Sequence, residues 1–60
     1  MGYAMAQTIL VVEDDPTQRR LLEALIARFG YEGISVSGGE RASELLLSPQ
    51  NRIDLVVLDL

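Results

Sequence analysis

Apolar residues form two unbroken runs along the chain, one near its start and one near its end. The first run is Ile-Leu-Val-Val at 9–12, and the second is Leu-Val-Val-Leu at 55–58. Short runs without polar alternation are typical of parallel strands that are covered on both faces. The pattern therefore predicts one strand over residues 8–12 and another over residues 52–58.

Between these runs, apolar residues first recur at the spacing of an amphipathic helix. These residues are Leu21, Leu22, Leu25, Ile26 and Phe29. Asp15 stands before Pro16, which is the pattern of a helix N-cap followed by proline at the first helical position. Gly30 suits the left-handed conformation that often follows the last turn. We therefore predict a helix over residues 16–29, with Asp15 as its structural cap.

A weaker strand and a shorter helix complete the interval. Residues 31–36 alternate between apolar and polar positions, which suits a strand at the edge of a sheet. Ser37 and Glu40 have the spacing of a capping box, so Ser37 is predicted to cap a helix that ends near Leu47. Pro49 then interrupts the chain before the last strand. The element order is β-α-β-α-β, which predicts an α/β fold with a parallel sheet.

The two ends of the chain carry no further element. Residues 1–7 are small and unpatterned, and we predict that they form a disordered leader. The chain stops one residue after Asp59, on a strand predicted to carry its chemistry. We therefore expect residues 8–60 to be the N-terminal part of a longer domain, truncated after the third strand.

Carboxylates stand where two of the predicted strands end. Glu13, Asp14 and Asp15 follow the first apolar run, and Asp59 follows the last. In open α/β sheets, ligands bind outside the C-terminal ends of the strands, where the strand order reverses. If the first strand lies between the other two, this crevice lies between Asp14 and Asp59. Asp54 belongs to the opposite edge and is predicted to be structural.

Clustered carboxylates repel one another unless something neutralises them. Mg²⁺ binds one or two carboxylates together with water and phosphate oxygens. We therefore predict Asp14 as a metal ligand, and Glu13 as a ligand that acts directly or through water. A carboxylate beside a metal can attack phosphorus and become an acyl phosphate, the role predicted for Asp59. The alternative is that these acids are solvated loop residues without a ligand.

The composition narrows the possible functions. The net charge is −4, and no basic stripe is present, so direct nucleic-acid contact by this segment is not expected. The sequence has no His, Lys or Cys, which excludes an imidazole base, a catalytic lysine and a disulfide framework from these residues. No apolar run approaches the ~20 residues of a membrane span. Residues 1–7 also lack a signal-peptide pattern, and we expect a cytoplasmic protein.

Two segments give the chain a family resemblance. Ile-Leu-Val-Val-Glu-Asp-Asp-Pro at 9–16 and Asp-Leu-Val-Val-Leu-Asp-Leu at 54–60 resemble the first and third strands of response-regulator receiver domains of two-component signalling. The resemblance extends over residues 8–60 and includes Gly30 and Tyr31. It implies a flavodoxin-like (CheY-like) doubly wound parallel sheet, of which this chain is the first β-α-β-α-β part with strand order 2-1-3.

The resemblance also implies roles for the acids. Asp59 corresponds to the phosphoacceptor, and Asp14, Glu13 and Asp59 correspond to the ligands of Mg²⁺ or Mn²⁺. The phosphoryl donor would be a sensor histidine kinase or a phosphotransfer protein, so the chain would be a signalling phosphoprotein rather than an enzyme. Self-phosphorylation and autodephosphorylation belong to the complete domain.

The chain departs from the family in what it lacks. A complete receiver adds a Ser or Thr after strand four and a Lys after strand five, and neither position falls within these 60 residues. We therefore expect this segment alone to be incompetent as a switch. If the chain truly ends at Leu60, its third strand would be an unpaired apolar edge, and self-association through that edge is expected.

Three other interpretations remain open. A haloacid-dehalogenase-like phosphohydrolase and a Toprim-like metal domain each end an apolar strand in an acid, but each requires a further Asp at position 61, beyond this chain. A pseudo-receiver would keep the fold and use it only as a dimerisation module. The presence of both Asp14 and Asp59 favours the phosphoacceptor over the pseudo-receiver.

Overall fold

The computed structural model describes residues 7–59, as three strands that alternate with two helices. The elements are β1 (Thr8–Glu13), α1 (Pro16–Arg28), β2 (Glu32–Val36), α2 (Gly39–Leu47) and β3 (Leu55–Asp59). Residues 1–6 of the predicted leader lie outside the described residues. The predicted element order is confirmed.

The three strands form one parallel sheet with β1 in the centre. The order is β2-β1-β3, so the chain crosses from one side of β1 to the other after β2. Val12 is paired with Val36 on one side and with Leu58 on the other. This order confirms the predicted first part of a doubly wound, CheY-like sheet. It also explains why the β1 residues from Ile9 to Glu13 are buried.

The helices cover opposite faces of the sheet, because the two right-handed crossovers lead to strands on opposite sides of β1. Leu10 and Val12 pack with Val36 and with Ala42 of α2. On the other face, Gly33 of β2 lies against Ile26 of α1, so closely that an added Cβ would stand 3.2 Å from the Ile26 Cγ2 atom. Burial of β1 between the two helices is the main source of hydrophobic stabilisation.

The ends of α1 follow the sequence pattern. Asp15 is the N-cap, and its carboxylate accepts a hydrogen bond of 3.1 Å from the Thr17 N–H. Pro16 occupies the first turn, where its missing N–H costs nothing. Gly30 has a φ of +87°, in the left-handed region that a residue with a Cβ rarely adopts. The helix ends at Arg28, one residue before the predicted end.

The prediction that Ser37 caps α2 is wrong. Gly38 is the N-cap, and no side chain caps the helix. The Ala42 N–H closes the first turn on the Gly38 carbonyl at 3.2 Å. Ser37 stands one residue too early for its hydroxyl to accept from the first free N–H groups of the helix.

Strand boundaries differ from the predicted ones where they bear on the site. β3 begins at Leu55 rather than at residue 52, but it continues onto Asp59. β1 likewise continues onto Glu13. Two acids thus belong to the strands themselves.

Part of the predicted apolar surface is exposed. Leu21 and Phe29 of α1 are 60% and 69% exposed, whereas Leu22 and Ile26 are half-buried. Leu25 is also exposed, at 48%, so the three-stranded sheet packs only part of the apolar stripe of α1.

Candidate functional site

The acids are brought together by the parallel register of β1 and β3. Glu13 and Asp59 are direct partners in that register, one on each strand. Asp14 follows Glu13 in the loop that leads to α1. Because the carboxyl ends of parallel strands meet at one edge, the three acids share the edge where doubly wound sheets bind ligands.

Glu13 is turned towards the protein. Its side chain is buried, with the residue only 6% exposed, and its carboxylate accepts a hydrogen bond of 3.1 Å from the Asp15 N–H. This bond spans the turn that contains Asp14. Glu13 therefore supports the loop, and its predicted role as a metal ligand remains a prediction.

Asp14 and Asp59 are exposed and line the same depression, whose volume is about 320 Å³. Carboxylate oxygens are hard ligands of the kind that Mg²⁺ prefers. The depression is open to solvent, so water and phosphate oxygens can reach both acids. Asp14 and Asp59 are therefore the pair that the structure brings together.

The β2–α2 loop forms the other wall of this depression, and the sequence analysis did not assign it to the site. The lining residues there are Ser37, Gly38 and Gly39. The strand order could have predicted this role, because the loop follows the C-terminal end of β2, at the same end of the parallel sheet as the acids. Ser37 thus lines the depression and does not cap the helix.

Arg19 is a cationic side chain near the acids that the sequence analysis also missed. Arg19 of α1 is half-buried, and its Nη1 donates to the carbonyl oxygens of Glu13 at 3.1 Å and of Asp14 at 3.3 Å. Such contacts leave no sequence motif, because they involve backbone atoms of the acids rather than their side chains.

The donor set fits a hydrated divalent cation better than an all-protein cage. Within residues 7–59, no three Asp, Glu, His or Cys side chains converge as a metal-binding group. Mg²⁺ usually keeps several waters and takes only one or two carboxylates. Asp14 and Asp59 are two exposed carboxylates of this kind on one depression, and Mn²⁺ would use the same oxygen donors.

Asp54 lies at the opposite edge of the sheet, as predicted. Its carboxylate accepts from the Thr8 N–H at 2.7 Å, and its own N–H donates to the Thr8 carbonyl at 2.8 Å. Arg52 lies 3.5 Å from the same carboxylate. These contacts join β1 to the start of β3 and account for Asp54 without a ligand.

None of the helices in the described part of the chain is long and apolar enough to cross a membrane.

Known proteins of bacteria and plants match this chain. It is 45% identical over 56 residues, 93% of its length, to the uncharacterized transcriptional regulatory protein YrkP of Bacillus subtilis. It is 33% identical over 57 residues to the two-component response regulator ARR10 of Arabidopsis thaliana. The transcriptional regulatory protein AruR of Pseudomonas aeruginosa is 35% identical over 60 residues.

The matches cover most of this chain but a small part of the relatives. The chain spans 23% of YrkP, 10% of ARR10 and 25% of AruR. No family model and no solved structure matches the chain. The relatives nevertheless confirm the resemblance to regulators of two-component signalling that the two sequence segments indicate.

Proposed function

We propose that Asp59 accepts a phosphoryl group, because the chain is homologous to two-component response regulators and is consistent with their receiver domain. The observation that carries the proposal is the register that pairs Glu13 with Asp59, together with the depression that Asp14 and Asp59 share. A sensor histidine kinase or a phosphotransfer protein would supply the phosphoryl group. The chain would then act in cytoplasmic signalling, as a phosphoprotein.

The proposed step is a phosphoryl transfer onto a carboxylate. An Asp59 oxygen attacks phosphorus while the bond between phosphorus and the donor nitrogen breaks, and the released imidazole takes up a proton. The product is an acyl phosphate on Asp59 and a neutral donor histidine. Exposure of Asp59 in an open depression gives the donor access to the attacking oxygen.

Repulsion is the main obstacle to this step, since Asp14 and Asp59 are anionic and so is the incoming group. Mg²⁺ or Mn²⁺, when bound, would supply the neutralising charge. Asp14 would hold the ion beside Asp59, and Glu13 would keep the Asp14 turn in place through its bond to the Asp15 N–H.

The response to phosphorylation would depend on further groups. These 60 residues include no Lys to pair with the acyl phosphate. The chain spans a quarter or less of the three relatives described above. We therefore propose that residues 8–60 carry the acceptor and its metal ligands, and that a competent switch requires more than this segment.

Labelling by a small phosphodonor tests the proposal. A complete receiver domain that contains residues 8–60 would be incubated with acetyl phosphate and Mg²⁺, with excess chelator as the control, and its intact mass and peptide masses would be measured. We expect the mass of one phosphoryl group to be added in the presence of Mg²⁺ only. Labelling that is indifferent to the chelator, or labelling at a peptide without Asp59, would contradict the proposal.

If the chain ends at Leu60, we also propose that it associates through β3. Among residues 7–59, no strand pairs with the outer edge of β3. The exposed residues there include Leu55 and Leu58, at 55% and 63%. An apolar strand edge with free backbone N–H and C=O groups is a template for pairing with another strand.

A further inference from the structure

The guanidinium of Arg19 links helix α1 to the turn that carries the two consecutive acids. One nitrogen, Nη1, lies 3.1 Å from the Glu13 carbonyl oxygen and 3.3 Å from the Asp14 carbonyl oxygen. We propose that Arg19 is a positioning residue that fixes this turn so that the Asp14 carboxylate faces Asp59. The inference rests on the proposed function and assigns one residue's part in it.

The carbonyl groups of Glu13 and Asp14 lie beyond the last residue of β1 that pairs with β2, so β2 offers them no hydrogen bond. The pairing of β1 with β2 ends at Val12 and Val36, one residue before Glu13. Backbone carbonyls beyond a ladder require another partner, in the protein or in water. A charged donor forms a stronger hydrogen bond than a neutral one, so the half-buried Arg19 is well suited to hold both carbonyls.

Arg19 is itself held by the first turn of α1. Its N–H donates to the Asp15 carbonyl at 2.9 Å, and the Asp15 carboxylate caps the same helix through the Thr17 N–H. The turn over residues 13–15 is therefore fixed from the helix by backbone, cap and guanidinium contacts. A ligand whose backbone is fixed loses less conformational entropy when it binds an ion.

The contacts of Arg19 are with the backbone rather than with the acids' charges. In the part of the chain that the structure describes, no carboxylate oxygen lies within ion-pair distance of its guanidinium. This separates two possible effects of Arg19 on a bound cation. As a nearby positive charge it would repel Mg²⁺, whereas as a positioning residue it would favour Mg²⁺ binding.

The two effects predict opposite results for the same substitution. Arg19→Met removes the charge and the clamp, and we expect Mg²⁺ affinity to fall by roughly 10-fold, as for residues that orient metal ligands. Arg20→Met is the matched control, because it removes the same charge from the adjacent, exposed residue. We expect Arg20→Met to leave the affinity unchanged or to raise it slightly.

The readout is a Mg²⁺ titration of the chain and of both variants, followed by the amide NMR signals of Asp14 and Asp59. Unfolding by urea is measured alongside, so that a loss of fold is separated from a loss of affinity. The inference is supported if Arg19→Met binds Mg²⁺ more weakly while the Mg²⁺ affinity of Arg20→Met is unchanged or slightly raised. Equal or tighter binding by Arg19→Met overturns it and leaves the phosphoacceptor proposal standing, whereas absence of Mg²⁺ binding by the unmodified chain overturns the proposed metal site itself.

A second measurement on the unmodified chain decides the matter if Arg19→Met does not fold. The guanidinium protons of Arg19 should exchange with water more slowly than those of Arg20, because only Arg19 donates to two carbonyls. Equal exchange rates would show that the clamp does not form in solution and would overturn the inference.

Discussion

At the scale of single residues, the adjacent acids Glu13 and Asp14 have different roles, because one is buried and the other is exposed. Glu13 is buried and accepts from the Asp15 N–H, whereas Asp14 is exposed in the depression that Asp59 also lines. A buried carboxylate that is already hydrogen-bonded supports structure, while an exposed one can exchange water for an ion. Asp14 is therefore the more accessible of the two carboxylates.

Replacing Asp14 should affect ion binding without harming the fold. Asp14→Ala is expected to weaken Mg²⁺ binding, while its free energy of unfolding stays within about 0.5 kcal/mol of the unmodified chain, since the side chain is exposed. Removing one of several like charges can only reduce repulsion at this edge. Isothermal titration with Mg²⁺ measures the first effect and urea unfolding the second.

Glu44→Ala is the control for Asp14→Ala, because it removes one exposed carboxylate that does not line the depression. It should leave Mg²⁺ affinity unchanged. Equal affinity of Asp14→Ala and the unmodified chain would refute the assignment of Asp14.

Replacing Asp59 tests the acceptor itself. In the complete domain, Asp59→Asn removes the attacking carboxylate and should abolish the Mg²⁺-dependent gain of one phosphoryl mass from acetyl phosphate. Asp54→Asn is the matched control, because its amide oxygen can still accept from the Thr8 N–H at the other edge. Labelling should persist in this control, and equal labelling of the two variants would argue against Asp59 as the acceptor.

At the scale of elements, two helix caps show what a local sequence pattern can determine. Asp15 is followed by Pro16, which is favoured at the first helical position, so the cap position is fixed. Ser37 is followed by Gly38 and Gly39, and glycine itself is tolerated as an N-cap. The pattern after β2 therefore allows more than one starting residue, and the structure begins the helix one residue later than predicted.

Because Asp15 caps its helix and Ser37 does not, we expect the two alanine substitutions to differ in their effect on the free energy of unfolding. Asp15→Ala should lower the free energy of unfolding by about 1 kcal/mol, because it deletes the hydrogen bond to the Thr17 N–H. Ser37→Ala should change it by less than about 0.5 kcal/mol, because Ser37 caps nothing. Urea unfolding of both variants measures these values, and a larger loss in Ser37→Ala would contradict the assignment of Gly38 as the cap.

At the scale of the whole molecule, periodicity predicts which residues are apolar but not how much of each is covered. In the apolar stripe of α1, Leu22 and Ile26 are half-buried, whereas Leu21, Leu25 and Phe29 are exposed. Coverage depends on how many strands and helices lie alongside, which no local pattern records. Strand order is equally non-local, and here the family resemblance supplied it. Arg19 was missed for a related reason, since its partners are backbone carbonyls.

The exposed edge of β3 leads to a prediction about association. If the chain ends at Leu60, it is expected to self-associate at micromolar concentration. Leu55→Lys should weaken this association, because a charge on an edge strand opposes strand pairing. Leu47→Lys is the control, since Leu47 is an exposed apolar residue at the end of α2 and not on β3. Analytical ultracentrifugation measures the change. A folded monomer of the unmodified chain at that concentration would contradict the prediction.

We propose that the ends of β1 and β3 form one cation-assisted phosphoacceptor site. Line broadening of amide NMR signals by Mn²⁺ is the decisive test of this site, because a paramagnetic ion broadens the signals of nearby nuclei only. We expect the signals of Asp14 and Asp59 to broaden together at low Mn²⁺ concentration. The signal of Gly38 should broaden at a slightly higher concentration, while that of Asp54 stays sharp. Broadening centred on Asp54, or of Asp14 without Asp59, would contradict a shared site.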